Sequence, residues 1–368
     1  MAIETRNPAT EEVLERFDPL TDEAIDKALS TATQAFQHFR HTDIAKRAGW
    51  LNNTADLLEA EVNEWAAVLT TEMGKTLPAA VAEVKKSAQG CRYYATHGEQ
   101  LLANEPLDSN GTNNFVRHLP LGPVLAVMPW NFPFWQVFRF AAPALIAGNV
   151  GLLKHASNVP RSALAIQNIL ERAGFPEGTF QTLLIGSDQV QQVLTDSRVR
   201  AATLTGSDAA GRAVASVAGH ALKPTVLELG GADPFIVMPS ADLSHAVEAA
   251  VVGRTINNGQ SCIAAKRFIV HSDVYDEFTD RFVSAFENLK VGDPTSDATD
   301  IGPLAMAQIR DDIDEQVIHS TALGAKILTG AEPMSGQGYF YRPGILAQIP
   351  ESAPAYAEEV FGPVAMLF

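Results

Sequence analysis

Two cysteines occur in the chain, and one of them, Cys262, sits where a thiol could act as a nucleophile. It lies in the stretch Thr-Ile-Asn-Asn-Gly-Gln-Ser-Cys-Ile-Ala-Ala-Lys-Arg-Phe (residues 255–268), rich in Asn and Gly and leading into an apolar segment. Gly259 permits a tight bend, so the main chain there can approach a bound molecule closely. A thiol attacks as its thiolate, and a free thiol of ordinary acidity is only ~3% ionised at neutral pH. A nucleophilic Cys262 therefore needs a base or electropositive surroundings. A cysteine taken alone is more often a small buried hydrophobe. The company of this one argues for chemistry. Glu228 closes the apolar run Val226-Leu227 and precedes Leu229, Gly230 and Gly231, and Asn131 lies within Pro129-Trp130-Asn131-Phe132-Pro133. A carboxylate that ends an apolar strand is expected to be partly buried, and burial makes a carboxylate a better base near neutral pH. The other cysteine, Cys91, falls in a helical stretch and reads as structural.

Four motifs occur in a fixed order: Pro129–Pro133, Lys154-His155-Ala156-Ser157, Glu228–Gly231 and Gly259-Gln260-Ser261-Cys262. A fifth, Glu358-Glu359-Val360-Phe361-Gly362-Pro363, follows near the end. Together they resemble the aldehyde dehydrogenase superfamily over essentially the whole chain, and within it the bacterial succinate-semialdehyde dehydrogenases. The resemblance implies oxidation of an aldehyde to its acid with NAD or NADP. Cys262 would form a thiohemiacetal, the Asn131 amide and the Cys262 N–H would hold its oxyanion, and Glu228 would activate the water that hydrolyses the thioester. Trp130, Lys154 and Ser157 would bind the cofactor. Glu359 would take the nicotinamide ribose, and Phe361 would pack on the ring. Many NAD-specific members carry an acidic residue where this chain has Ser157; a small neutral side chain there, with His155 beside it, makes NADP acceptable. Arg139 would receive the distal carboxylate of a semialdehyde, a task suited to a guanidinium. Ile256 stands where some of these enzymes have a second arginine, which leaves other ω-carboxylated or small aldehydes as alternative substrates.

These residues need a frame that brings them together. From Gly122 onward short apolar runs at Val124–Met128, Val150–Lys154, Thr182–Ile185 and Ala201–Thr205 alternate with helical segments near Phe134–Ile146, Arg161–Ala173, Asp188–Leu194 and Asp208–Gly219. That alternation predicts a parallel sheet covered by helices, with ligands beyond the carboxyl ends of its strands. No G-x-G-x-x-G occurs, and Ile185-Gly186-Ser187-Asp188-Gln189-Val190 has a single glycine. The phosphate site is therefore expected at Thr205-Gly206-Ser207, where Gly206 and Ser207 open a helix and its amides would face a pyrophosphate. The fold class is α/β and aldehyde dehydrogenase-like: a Rossmann-type dinucleotide-binding domain (1–98 and 122–228), a small oligomerisation arm (99–121) and an α/β catalytic domain (229–368). Before it, helices are expected from Thr21 to Arg40, from Asp43 to Met73 and from Leu77 to His97, and a strand at Phe115–Leu119. In the catalytic part, strands are expected at Pro234–Met238, Arg267–His271 and Lys326–Leu328, with helices at Asp242–Thr255, Val274–Leu289 and Leu304–Leu323.

Relatives in the family continue past Phe368, so the chain is expected to lack the end of its catalytic domain. Its last apolar run would then form an unpaired, aggregation-prone edge, and an inactive truncated member is one alternative. Cofactor-independent thiol esterase chemistry is another. With 368 residues the chain can bury a large core, and a net charge of −16 disfavours nucleic acid or anionic membrane as main partner. Few cysteines, no long apolar run and no secretory start point to a reducing, cytoplasmic setting, with a small aldehyde as partner and a homo-oligomer, dimer or tetramer, as the assembly. No metal site is expected.

Overall fold

The computed structural model describes residues 2–108 and 111–368. Ser109 and Asn110, part of the expected arm, lie outside the described residues. The chain forms two compact units, one of Met1–Thr5, Leu14–Val68 and Val81–Leu229, the other of Arg6–Val13, Leu69–Ala80 and Gly230–Phe368.

The chain opens with a two-stranded ribbon, β1 (Ile3–Arg6) and β2 (Val13–Phe17), followed by helices α1 (Asp22–Phe39), α2 (Ile44–Ala60), α3 (Val62–Met73) and α4 (Leu77–Leu101). Thr21 caps α1 by accepting from the Ala24 amide at 3.3 Å, and Asp22 and Glu23 complement the positive end of the helix. Its buried residues Ile25, Leu29, Ala32, Phe36 and Phe39 recur every three or four positions and give one apolar stripe. The single helix expected over 43–73 is two helices, because Glu61 leaves helical geometry between α2 and α3. The expected strand at Phe115–Leu119 shortens to β4 (Phe115–Val116), paired with β3 (Glu105–Pro106) in an exposed ribbon.

The first unit is built on β5 (Pro123–Met128), α5 (Trp135–Ile146), β6 (Val150–His155), α6 (Pro160–Arg172), β7 (Phe180–Thr182), α7 (Val190–Thr195), β8 (Ala201–Thr205), α8 (Asp208–His220) and β9 (Thr225–Glu228). The strands form one sheet in the order β7-β6-β5-β8-β9, and every neighbouring pair is parallel. β5 and β6 are almost wholly buried, which is why they read as continuous apolar runs. The third strand begins at Phe180, earlier than expected, and the run to Ile185 is irregular. β5 is central: the chain winds outward through β6 and β7, then returns to place β8 on its other side. That reversal opens a crevice at the carboxyl ends of β5 and β8.

The second unit holds β10 (Asp233–Val237), α9 (Leu243–Thr255), β11 (Ala265–Val270), α10 (Tyr275–Glu287), α11 (Ala307–Ala322), β12 (Lys326–Thr329), β13 (Glu332–Pro333), β14 (Tyr341–Arg342), β15 (Gly344–Ala347), α12 (Pro354–Ala357) and β16 (Val364–Leu367). Its main sheet has the order β10-β11-β16-β15-β12, parallel except for β12 against β15. One core packs Phe278, Phe282 and Phe286 of α10 with Phe268, Ile345 and Leu367 of the sheet. A second core packs Ile313 and Val317 of α11 with Tyr341, Leu346 and Met366.

The expectation of an unpaired edge at the last apolar run is overturned. β16 is the middle strand, paired in parallel with β11 on one side and β15 on the other, and all four of its residues are buried. Its side chains alternate between the two cores, Met366 into one and Ala365 and Leu367 into the other. Met366→Ala should therefore cost about 2–5 kcal/mol of stability, the usual range for truncating a fully buried side chain. Ile236→Ala on edge strand β10, where the side chain is 62% exposed, should cost well under half of that. Denaturant unfolding of the two variants checks the contrast, and equal losses would contradict a central β16.

Candidate active site

In the first unit, Trp130 and Asn131 occupy the turn after β5, and Asn131 is buried. Two buried groups fix this turn. Glu83 of α4 accepts from the amides of Phe134 and Trp135 at 2.9 and 3.1 Å, a carboxylate on the amino end of α5. His155, at the end of β6, bonds the Pro133 carbonyl through Nε2 at 2.9 Å and accepts from the Ala156 amide at Nδ1, also at 2.9 Å. Nε2 is thus the protonated nitrogen of a neutral ring. Burial pushes its pKa down to about 4, and the charge of Lys154 acts in the same direction. With both ring nitrogens spent on backbone, His155 is not the group beside Ser157 that would help a 2′-phosphate. Ser157 is half-buried in the next turn, and its carbonyl accepts from the Glu4 amide at 3.0 Å.

Lys154, buried, lines a cavity of about 350 Å³ with Val127, Asp188, Leu204, Ala210 and Val214. The cavity lies at the reversal of strand order, where β5, β6 and β8 end and α8 begins. Desolvation lowers the pKa of Lys154. Gly206 and Ser207 lead into α8, but the first is not a free donor: its N–H is bonded to the Glu228 carbonyl at 3.0 Å. The Ser207 hydroxyl caps the helix by accepting from the Ala210 amide at 3.3 Å.

Glu228 departs from expectation. Its side chain is 53% exposed, because β9 is an edge strand of this sheet and Glu228 shares the outward face with Val226. Arg139 of α5 lies 3.3 Å from its Oε2. Both side chains line a cleft of about 570 Å³ together with Met128, Gln136 and Thr205.

In the second unit, Cys262 is half-buried on a loop whose flanking residues Ser261 and Ala264 are buried. Asn257 and Asn258 take positive φ (57° each), conformations that asparagine tolerates better than most residues. Asn258 Nδ2 donates to the carbonyls of Gly74 and Pro303 at 2.9 and 3.0 Å, and its Oδ1 accepts from the Gly302 amide. Gln260 Oε1 accepts from the Ala305 amide at 3.0 Å. Gly259 has φ of +77°, and a Cβ there would strike the backbone of Gly362 and Pro363. The following turn carries Glu359 and Phe361, both half-buried, beside a cavity of about 450 Å³. A Cβ on Gly230 would collide with the Glu359 carboxylate, so the glycine after Leu229 makes room for that acid.

Two buried cations anchor this region, and sequence reasoning missed both. Arg254, in the last turn of α9, donates to the carbonyls of Gly259 and Ala265 at 2.5 and 3.0 Å. Its burial lowers the guanidinium pKa to about 9. Lys266, with no exposed surface, donates to the carbonyls of Ser261, Cys262 and Ala264, and lies 2.9 Å from Glu359 Oε1. The motif order alone could have drawn attention to Lys266, four residues after the cysteine, but nothing in its type signals burial.

An α/β frame with a parallel sheet, a crevice at its strand reversal and a cysteine on an anchored loop defines the class. The profile of the aldehyde dehydrogenase family matches residues 1–368, and the chain belongs to that family. It is 58% identical over 372 aligned positions to succinate-semialdehyde dehydrogenase (NADP+) of Mycobacterium avium, spanning all of this chain and 79% of that protein. The corresponding Mycobacterium tuberculosis protein is 56% identical over 371, spanning all of this chain and 81% of its own length. Among solved structures, succinic semialdehyde dehydrogenase of Streptococcus pyogenes with NADP+ superposes with a TM-score of 0.97 at 36% identity, covering this whole chain and 81% of that one.

The buried neutral His155 has a consequence for stability. Its folded pKa, about 4, lies below the ordinary 6.5, so the unfolded chain takes up a proton first as the pH falls. The stabilisation is present above pH 6.5 and is lost as the pH drops toward 4, by at most roughly 3 kcal/mol. The stability advantage of wild type over His155→Gln should therefore shrink on acidification across that window. Urea unfolding at several pH values checks it; a constant difference would contradict a buried neutral imidazole.

Proposed function

We propose that this aldehyde dehydrogenase oxidises succinate semialdehyde to succinate, with Cys262 as nucleophile, and that it uses NADP or NAD. The observation that carries the reading is the Cys262 loop, held by buried side chains on every side while the cysteine itself stays half-exposed. The names of the relatives support the substrate, and NADP+ in the names of the mycobacterial relatives supports the cofactor.

The residues fit a dinucleotide. The cavity beside Lys154 offers one buried ammonium and an apolar wall at the end of the sheet, and the start of α8 offers the positive end of a helix. Lys154 and Ser157 would hold the adenosine side, with no carboxylate at 157 to repel a 2′-phosphate. Trp130, Gly206 and Ser207 would border it. Glu359 would hold the second ribose and Phe361 would pack the nicotinamide. When bound, the nicotinamide supplies the acceptor for the oxidation.

The chain's own groups do the rest. The Cys262 thiolate adds to the carbonyl carbon, and the oxygen becomes an oxyanion that the Asn131 amide and the Cys262 N–H stabilise, each donor being worth roughly 3–4 kcal/mol of barrier. Oxidation leaves a thioester on Cys262. Glu228 takes a proton from water as the water attacks that thioester, the thiolate leaves, and the acid is released. Arg139 would receive the distal carboxylate; Ile256 supplies no second cation, so the grip rests on Arg139. The first unit then serves as the cofactor-binding domain, 229–368 as the catalytic domain and 99–121 as an arm joining a dimer or tetramer. A cytoplasmic location agrees with the sparse cysteines and with the finding that no described helix is long and apolar enough to cross a membrane.

Three variants test this. Cys262→Ala should abolish aldehyde oxidation while NADP+ still binds, and Glu228→Gln should give one burst of reduced cofactor and then stall, read by stopped-flow absorbance. An unaltered steady rate in Glu228→Gln would remove it as the base. Arg139→Leu should lower kcat/KM for succinate semialdehyde by roughly 10- to 150-fold, the loss of one charge-assisted contact, and leave butanal little affected. Equal losses on both substrates would assign Arg139 to the fold instead of the carboxylate.

A further inference from the structure

The peptide bond between Ser261 and Cys262 is gripped from inside. Lys266 Nζ donates to the Ser261 carbonyl at 3.1 Å and to the Cys262 carbonyl at 2.9 Å, and reaches the Ala264 carbonyl at 3.4 Å. The ammonium is wholly buried, beneath a cysteine that is half-exposed. A trans peptide is planar, with its C=O and N–H pointing in opposite directions. Fixing the Ser261 oxygen against Lys266 therefore fixes the direction of the Cys262 N–H, which must point away from the ammonium. Among the described residues that N–H donates to no protein acceptor. A cation on the carbonyl oxygen also polarises the amide and makes its N–H a stronger donor.

We propose that Lys266 is a positioning residue for the oxyanion: it aims and polarises the Cys262 N–H from beneath, and the same charge holds Glu359 in place. The inference rests on the reading of Cys262 as nucleophile. Lys266 touches neither the aldehyde nor the reacting sulfur. It acts on the direction of one donor, so its loss falls on the step in which negative charge collects on the aldehyde oxygen. Attack of the thiol on a reagent that develops no oxyanion does not use that donor.

That difference separates positioning from simple support of the loop. In Lys266→Met, kcat for succinate semialdehyde should fall by about 30-fold or more, toward the ~100-fold typical of a lost oxyanion donor, while KM changes by less than about threefold. The rate at which iodoacetamide alkylates Cys262 should stay within about threefold of wild type, because that displacement forms no oxyanion. NADP+ affinity, read by fluorescence titration, should weaken as Glu359 loses its partner. An unchanged kcat overturns the proposal, and so does a parallel fall of kcat and alkylation, which is what a disordered loop would give. If Lys266→Met does not fold, Lys266→Arg keeps the charge but cannot reproduce the same three contacts. Its kcat should then fall while alkylation is preserved, and full kcat in that variant overturns the proposal. Cys262→Ala assayed alongside keeps the two ideas apart: oxidation surviving there sinks the reading of the nucleophile, whereas an inactive Cys262→Ala beside a fully active Lys266→Met sinks only the role of Lys266.

Discussion

Backbone carbonyls turned into a protein interior must find donors, and the Cys262 loop meets that requirement with side chains instead of a ladder. The carbonyls of Gly259 and Ala265 go to Arg254, that of Gln260 to Asn257, and those of Ser261, Cys262 and Ala264 to Lys266. Burying two cations is expensive unless their protons are taken up, and here five inward carbonyls take them while the Glu359 carboxylate balances the Lys266 charge. The arrangement closes on itself. The loop needs the cations to satisfy its backbone, and the cations need the loop to be tolerated inside the fold. Gly259 and Gly230 then pack where a Cβ would strike the Gly362–Pro363 backbone and the Glu359 carboxylate.

The parts of this structure that depend on periodicity were legible from the sequence. The stripe of α1, the buried runs of β5 and β6, and the Phe278, Phe282 and Phe286 spacing of α10 each reflect one face of one element. The motifs that carry Asn131, Glu228 and Cys262 were legible as local words. What was not legible was set by partners distant in the chain. Glu83 reaches amides 51 and 52 positions away, and its type gives no hint of burial. His155 looked like a cofactor neighbour because it stands two residues before Ser157; the fold turns it onto Pro133. The exposure of Glu228 follows from β9 lying at the rim of its sheet, a property of strand order that no residue in Thr225–Glu228 encodes. The last apolar run misled for the same reason, since nothing within Val364–Leu367 tells a central strand from an edge.

The contact between Arg139 and Glu228 joins two groups assigned to different jobs. An exposed pair of this kind is worth little, about 1 kcal/mol or less, so it does not hold the fold together. Its interest is geometric. A carboxylate arriving at Arg139 would enter a cleft whose wall already carries the group proposed to activate water, and selection of the substrate and hydrolysis of its thioester would share one guanidinium.

The position of β16 bears on how the second unit comes into being. On a growing chain β10 and β11 emerge first, then β12 and β15, and residues 364–367 follow all of them. Until those four residues are available, the two halves of the sheet have no strand between them and both phenylalanine-rich and tyrosine-rich cores stand open on one side. Assembly of this unit is thus a late, long-range event, because the keystone is threaded in after the flanks are made. A nascent chain paused before Val364 would expose two parallel edges at once, and chaperone demand during synthesis should concentrate in that interval.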